Sequence, residues 1–212
     1  MPVTAVLFDL GGVIVSSPFE AFAHFESRTG LPPGFIRSVN ATNPHTNAWA
    51  RLERSELTVD EFSRAFADES AALGHRVEGA EVLRMLSGEL HPEMVEAVRR
   101  CSARLSTALL TNNFLGLHDG PDGRPIDPDI AAVVELFDVV IESSKVGVRK
   151  PDPRFYELAL DAVGVPPEEA VFLDDLGINL KPARELGMTT IKVVDPAIAI
   201  AELEAVVGFT LG

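Results

Sequence analysis

Blocks of apolar residues along the chain predict strands that are separated by amphipathic helices. The first block, Val6-Leu7-Phe8, has the β-branched and aromatic bias of a buried strand and leads directly to Asp9. Similar blocks predict strands at 105–111, 139–142, 170–173 and 189–194, with helical stripes over 92–101, 130–136, 153–162, 176–186 and 197–207. Since parallel strands need helical crossovers, the alternation predicts an α/β fold with a doubly wound parallel sheet.

Residues 16–90 interrupt this alternation, because they show helical stripes and little strand signal. Within them, Thr58 and Glu61 have the spacing of a capping box at the start of a helix. We therefore predict two domains, a core of residues 1–15 and 91–212 and a helical insert of residues 16–90. The name helical insert is kept below for residues 16–90.

Composition narrows the possible partners more than it narrows the fold. The 212 residues are 46% hydrophobic and 24% charged, which is ordinary for a globular chain of one sizeable domain or of a core with a smaller insert. The formal net charge of −14 argues against broad contact with nucleic acid or an anionic membrane, which need a basic surface. A small anionic substrate stays compatible, because a metal ion or a few cations reverse the local charge of a cleft.

The cysteine content and the apolar runs of the sequence bear on where the protein is expected to be located. Cys101 is the single cysteine, so we expect a small buried side chain and neither an internal disulfide nor a zinc cluster. We see no signal peptide before Asp9 and no uncharged apolar run of membrane-spanning length. A cytoplasmic location is the default expectation.

Polar side chains follow the predicted strands where each strand ends. Asp9 follows the first strand, Thr111 with Asn112 the second, Lys150 lies in the connection after the third, and the pair Asp174-Asp175 follows the fourth. The carboxyl ends of parallel strands share one edge of a sheet, so these groups are expected to converge. Three carboxylates suit Mg²⁺, and a lysine with a hydroxyl suits an anion beside it. That combination favours phosphoryl chemistry.

Two alternatives stay open at this point. Lys145 and Arg149 compete with Lys150 as the cation that contacts the anion. Residues 115–128, which are rich in Gly, Pro and Asp, are expected to form an exposed loop.

Taken in order, these stretches resemble the four motifs of the haloacid dehalogenase superfamily. Phe8-Asp9-Leu-Gly11-Gly-Val resembles the first motif and Leu-Leu-Thr111-Asn-Asn the second. Lys150-Pro-Asp152 resembles the third, and Phe-Leu-Asp174-Asp175-Leu-Gly-Ile-Asn179 the fourth. The resemblance covers nearly the whole chain and implies a Rossmann-like core, with the helical insert as the family's cap. The subgroup it resembles most is the N-terminal phosphatase-type domain of soluble epoxide hydrolase.

The resemblance implies a role for each matched position. Asp9 would be the nucleophile and a Mg²⁺ ligand, Thr111 and Lys150 would act on the transferring phosphoryl group, and Asp175 would bind the metal directly. Gly12 and Asn112 would bind the substrate. The Gly11 carbonyl would bind the metal, as would Asp174 either directly or through water. Asn179 would support the metal loop.

Gly11 is a departure from the family's pattern. Phosphatases of this family usually carry an aspartate there, whose carbonyl binds the metal and whose side chain is the general acid and base. Glycine keeps only the carbonyl, and losing positioned proton transfer costs about 10²–10⁴-fold in rate. His45 and Glu53 of the helical insert are possible substitutes, although nothing in the sequence places them.

The resemblance implies a Mg²⁺-dependent phosphatase of a small phosphorylated molecule, as a monomer or homodimer. One alternative is a 2-haloacid dehalogenase, which needs no metal and no aspartate at position 11. Another is a weakly catalytic protein that binds a phosphorylated ligand or a partner.

Overall fold

A computed structural model describes residues 2–86, 88–113 and 127–212. In these residues five strands form one parallel sheet with the order β3-β2-β1-β4-β5. The strands are β1 (Ala5–Phe8), β2 (Ser106–Thr111), β3 (Val139–Glu142), β4 (Ala170–Asp174) and β5 (Thr189–Lys192). The predicted doubly wound α/β fold is confirmed.

Helices of the described residues fall into two groups. The helical insert contains α1 (Phe19–Thr29), α2 (Phe35–Ala41), α3 (Ala48–Glu53), α4 (Val59–Ala72) and α5 (Gly79–Arg84). The others are α6 (Pro92–Ser102), α7 (Pro128–Val134), α8 (Ser143–Val146), α9 (Pro153–Val163), α10 (Gly177–Leu186) and α11 (Pro196–Val207).

Strand β1 lies at the centre of the sheet, between β2 and β4. Its four residues are all buried, because alternate side chains enter hydrophobic clusters on opposite faces. Val6 and Phe8 face a cluster that includes α6 and α11, whereas Ala5 and Leu7 face a cluster that includes α9 and α10. Coverage on both faces explains why β1 reads as an unbroken apolar run.

Cys101 on α6 is fully buried in the first of these clusters. Burial raises the pKa of its thiol to about 12. The expectation that Cys101 is a small core residue is confirmed.

The helices of the insert share a hydrophobic cluster of their own, which is centred on Phe62 and Phe66 of α4. Thr58 begins α4 with the predicted capping box, in which its hydroxyl accepts from the Glu61 N–H and the Glu61 carboxylate accepts from the Thr58 N–H. A separate cluster supports the division into two domains, which stays a prediction. Among the described residues no helix is long and apolar enough to cross a bilayer.

The structure differs from the predicted elements at three places. The segment after β3, predicted as a plain connection, begins with the short helix α8, because the Ser143 hydroxyl donates to the Asn113 carbonyl and accepts from its N–H. Strand β5 ends at Lys192, two residues earlier than predicted. Of the predicted loop at 115–128, residues 115–126 lie outside the described residues, and Asp127 with Pro128 begins α7 as a helix cap.

Candidate active site

Two acidic residues meet at the carboxyl edge of the sheet because their strands are neighbours. Asp9 directly follows β1, and its backbone N–H donates to the Leu173 carbonyl of β4 at 2.9 Å. Asp174 is the last residue of β4 and is fully buried. The chain builds β2 and β3 on one side of β1 and β4 and β5 on the other, and this change of direction is where open α/β sheets bind ligands.

Lys150 links these two carboxylates. Its Nζ lies 2.8 Å from Asp9 Oδ1 and 2.9 Å from Asp174 Oδ2, and the side chain is only 1% exposed. Burial by itself lowers the pKa of Lys150, but the charges of Asp174 and Asp9 outweigh burial, so that the pKa is raised. The lysine is therefore a cation at neutral pH inside the acidic cluster.

Asp174 is held by further hydrogen bonds. Its Oδ1 accepts from the Leu176 N–H at 2.8 Å, and both of its oxygens lie 3.0 Å from the Asn179 amide nitrogen. The Tyr156 hydroxyl in turn donates to the Asn179 carbonyl at 2.7 Å. Asn179 thus supports the acidic loop through Asp174. Tyr156 is a supporting residue that the sequence did not predict, since its only signal is that it is the single tyrosine of the chain.

Three carboxylates at this edge form a group suited to a cation. Oxygens of Asp9, Asp174 and Asp175 all lie within 4.8 Å of one another. Burial, followed by the charge of Asp174, raises the pKa of Asp175 to about 6. Crowded carboxylates that resist ionisation are relieved by a divalent ion, and oxygen ligands are those that Mg²⁺ prefers. The donor set fits the predicted Mg²⁺.

The two adjacent glycines behave differently. Gly12 has a φ of +76°, and a Cβ placed on it would collide with the Asp175 carboxyl group. Gly11 is outside the left-handed region, and apart from its own atoms and those of its two chain neighbours no described atom lies within 4 Å of where its Cβ would stand. Gly12 is thus required for Asp175 to approach, while the space beside Gly11 is open.

Thr111 and Asn112 lie at the end of β2. Thr111 is the last residue of β2 and is buried. The Asn112 side chain donates to the Lys150 carbonyl at 3.0 Å and accepts from the Lys150 N–H at 2.9 Å. This double hydrogen bond fixes the backbone of Lys150, a contact the sequence analysis did not anticipate. The predicted contact of Asn112 with substrate stays a prediction.

The two competitors of Lys150 lie elsewhere. Lys145 is exposed and pairs with Glu142. Arg149 Nε lies 2.8 Å from the Glu53 carboxylate of the helical insert. Lys150 is therefore the one of the three that reaches the acidic cluster. His45 is exposed, and its carbonyl accepts from Arg54.

Known proteins are similar to the chain over almost its whole length. It is 38% identical over 98% of its length to acyl-CoA dehydrogenase family member 10 of Mus musculus, covering 19% of that protein. It is 35% identical over 100% of its length to bifunctional epoxide hydrolase 2 of Sus scrofa, covering 40% of that protein. A phosphatase of Mycobacterium tuberculosis is 32% identical over 89% of the chain and 86% of its own length. The chain thus spans less than half of the first two relatives.

Solved structures share the fold at lower identity. A haloacid dehalogenase family enzyme of Bacteroides thetaiotaomicron, in complex with magnesium and inorganic phosphate, matches with a TM-score of 0.58 at 18% identity, covering 90% of this chain and 93% of its own. L-2-haloacid dehalogenase of Xanthobacter autotrophicus matches with a TM-score of 0.58 at 20% identity, covering 99% and 84%.

The family comparison covers most of the chain. Residues 3–187 match the description of the haloacid dehalogenase-like hydrolases, and this range includes both the sheet edge and the helical insert. The chain belongs to the haloacid dehalogenase-like hydrolase family.

Proposed function

We propose that this hydrolase is a Mg²⁺-dependent phosphatase of a small phosphorylated molecule, acting through a phosphoryl group carried on Asp9. The observation that supports it most is the position of Lys150, which joins Asp9 to the Asp174-Asp175 pair. A carboxylate nucleophile, a fixed cation and a set of metal-binding oxygens then surround one point, as phosphoryl transfer requires.

In this proposal Asp9 attacks the phosphorus atom, and the bond from phosphorus to the leaving oxygen breaks. Lys150 and Thr111 bind the equatorial oxygens, where negative charge must be stabilised during transfer. Mg²⁺ would be held by Asp9, Asp175 and the Gly11 carbonyl, with Asp174 directly or through water, and when bound it supplies further neutralisation of the phosphoryl charge. Water then attacks the phosphorus of the acyl phosphate, which releases phosphate and regenerates Asp9.

The leaving oxygen departs without a proton from residue 11, since glycine has no side chain to donate one. The rate should therefore depend steeply on the acidity of the leaving alcohol. Phenolic and acyl phosphates, whose leaving groups are stable anions, should react much faster than alkyl phosphates.

Similarity to known proteins supports the phosphatase. One relative is named as a phosphatase, and a structure with the same fold was obtained with magnesium and inorganic phosphate. The helical insert would serve as the cap that covers the substrate.

The test is phosphate release from a panel of phosphomonoesters that includes p-nitrophenyl phosphate, with Mg²⁺ and again with a chelator. We expect release that needs Mg²⁺, that is lost in Asp9→Asn, and that is kept in Asp161→Asn, an exposed aspartate of α9. Absence of release from every ester would refute the proposal. Chloride release from 2-chloropropionate in chelator would identify a dehalogenase instead.

A further inference from the structure

We propose that Glu53 is a positioning residue for this site, because it pairs with Arg149 and thereby holds the helical insert against the residue that precedes Lys150. The inference rests on the proposed phosphatase function for its kinetic consequences. The ion pair itself is a feature of the fold.

The Glu53 carboxylate is buried, and its two oxygens make different contacts. Oε1 accepts from the Trp49 indole N–H at 2.8 Å, whereas Oε2 lies 2.8 Å from Arg149 Nε in an ion pair that lacks hydrogen-bond geometry. Within this ion pair the Glu53 side chain is 7% exposed and the Arg149 side chain is 21% exposed. By contrast, the Arg76–Glu78 pair of the same insert is 54% and 55% exposed. Among the described residues, no other arginine–carboxylate pair is as buried.

Two further contacts join the same two segments. Arg149 Nη1 donates to the Pro44 carbonyl at 3.4 Å, and the Ser55 hydroxyl donates to the Ser144 carbonyl of α8 at 3.1 Å. Residues near α3 therefore dock on α8 and on the segment that leads from it to Lys150, with the Glu53–Arg149 pair as the charged contact.

Any movement of Arg149 reaches Lys150 through a single peptide bond. Asn112 binds the Lys150 backbone on both its N–H and its carbonyl, and Asp9 with Asp174 bind its Nζ. Lys150 is thus fixed from the sheet side, and Arg149 fixes the chain just before it from the side of the insert. A displacement of about 1 Å at such a group costs on the order of 10²-fold in rate.

Electrostatics agree with this placement. Burial raises the pKa of Glu53, while the charge of Arg149, and to a smaller degree that of Lys150, opposes the rise. The contact with Arg149 places Glu53 on the side of the insert that faces the segment before Lys150. Because removing one member of a buried pair leaves the other charge without compensation, each partner depends on the other.

The kinetic test uses Glu53→Gln, Arg149→Gln, the double variant and Arg149→Lys, with Arg76→Gln as the exposed control. We expect each neutralised single variant to lose about 10²-fold in kcat/KM. The double variant should lose no more than the worse single variant, Arg149→Lys should regain part of the loss, and Arg76→Gln should match the unaltered protein. Losses that multiply in the double variant, or singles that match the control, would overturn the proposal.

Substrates separate positioning from proton donation. The fold-loss in kcat/KM in Glu53→Gln should be the same for p-nitrophenyl phosphate and for an alkyl phosphate. The same should hold for Arg149→Gln. A loss in Glu53→Gln that is confined to the alkyl phosphate would make Glu53 the proton donor and contradict the positioning role.

A readout without catalysis separates this inference from the proposed function. Trp49 is the only tryptophan, and Arg149→Gln leaves its partner Glu53 in place. We expect Arg149→Gln, but not Arg76→Gln, to shift the tryptophan emission to longer wavelength and to increase its quenching by acrylamide, with unchanged circular dichroism. Unchanged emission would refute the ion-pair role even in an active enzyme. The expected shift in a protein without phosphatase activity would refute only the proposed function.

Discussion

The ammonium nitrogen of Lys150 lies 2.8 Å from a carboxylate oxygen of Asp9, at almost complete burial. In Lys150→Met both Asp9 and Asp174 lose this cation, while most of the unbranched side chain is kept. We expect kcat for p-nitrophenyl phosphate to fall by about 10²–10³-fold, as on removal of one charge-stabilising donor. Lys145→Met is the control, since Lys145 is exposed and bound to Glu142. Retention of a tenth of the rate in Lys150→Met would contradict the assigned role.

The two glycines provide a matched pair of substitutions. Gly12→Ala places a Cβ against Asp175 in a left-handed backbone, so we expect a loss of about 1–2 kcal/mol in the free energy of unfolding and weakened Mg²⁺ binding. Gly11→Ala meets open space and should change neither property appreciably. Urea unfolding and Mg²⁺ titration measure both effects. Equal effects of the two substitutions would show that the contact with Asp175 does not matter.

Gly11→Asp tests whether the site lacks a proton donor. A Cβ at position 11 meets open space, and we expect the rate for an alkyl phosphate to rise by about 10²–10⁴-fold, with a much smaller change for p-nitrophenyl phosphate. Gly11→Asn, which has similar volume but cannot exchange the proton, is the control. If the unaltered protein already hydrolyses alkyl phosphates briskly and the variant is no faster, another residue donates the proton.

Magnesium should stabilise the folded protein, since the carboxylates of Asp9, Asp174 and Asp175 come together only in the folded state. At a concentration about 100 times its Kd, a ligand that binds only the native state adds about 2.7 kcal/mol. Thermal unfolding with MgCl₂ and with chelator measures the difference. Asp175→Ala should abolish it, whereas Asp161→Ala should keep it. A response that survives Asp175→Ala would place the ion elsewhere.

The capping box of α4 gives a prediction about stability and pH. Thr58→Ala removes the hydroxyl that accepts from the Glu61 N–H and should cost about 1 kcal/mol. Hydrogen bonds from the Thr58 N–H and then from its hydroxyl lower the pKa of Glu61. A carboxyl group whose pKa is lowered by folding stabilises the folded state at pH values above its ordinary, unfolded-state pKa. This contribution is lost as the pH falls through the pKa of the folded state.

The difference in unfolding free energy between the unaltered protein and Thr58→Ala should therefore be largest near neutral pH and shrink below about pH 4. Thr58→Ser keeps the hydroxyl and should behave like the unaltered protein. A difference that grows on acidification would contradict the cap.

Sequence reasoning was successful where one local rule decided the outcome. The apolar run before Asp9 and the Thr58–Glu61 spacing each specify an element by themselves, and the parallel sheet follows from the order of strands and helices. Convergence of Asp9 with Asp174 then needs only the rule that parallel strands share a carboxyl edge.

Contacts between segments that are distant in sequence could not be predicted from these local rules. The Glu53–Arg149 pair depends on how α3 sits over the segment after α8, and no periodicity in the chain encodes this. The same holds for Asn112, whose amide binds the Lys150 backbone, and for Tyr156 beneath Asn179. The helix α8 was missed because its stabilising partner, Asn113, belongs to another strand end.

The strand order also has a consequence for how the molecule assembles. β1, the first strand of the chain, needs β4 as its neighbour, so Asp9 meets Asp174 only after most of the polypeptide has been made. Pairing across such a separation is slow, because loop-closure entropy must be overcome first. We expect a chain that stops before β4 to carry Asp9 and Lys150 without binding Mg²⁺. Competence for catalysis is then a late event in folding, acquired when the central strand gains its second neighbour.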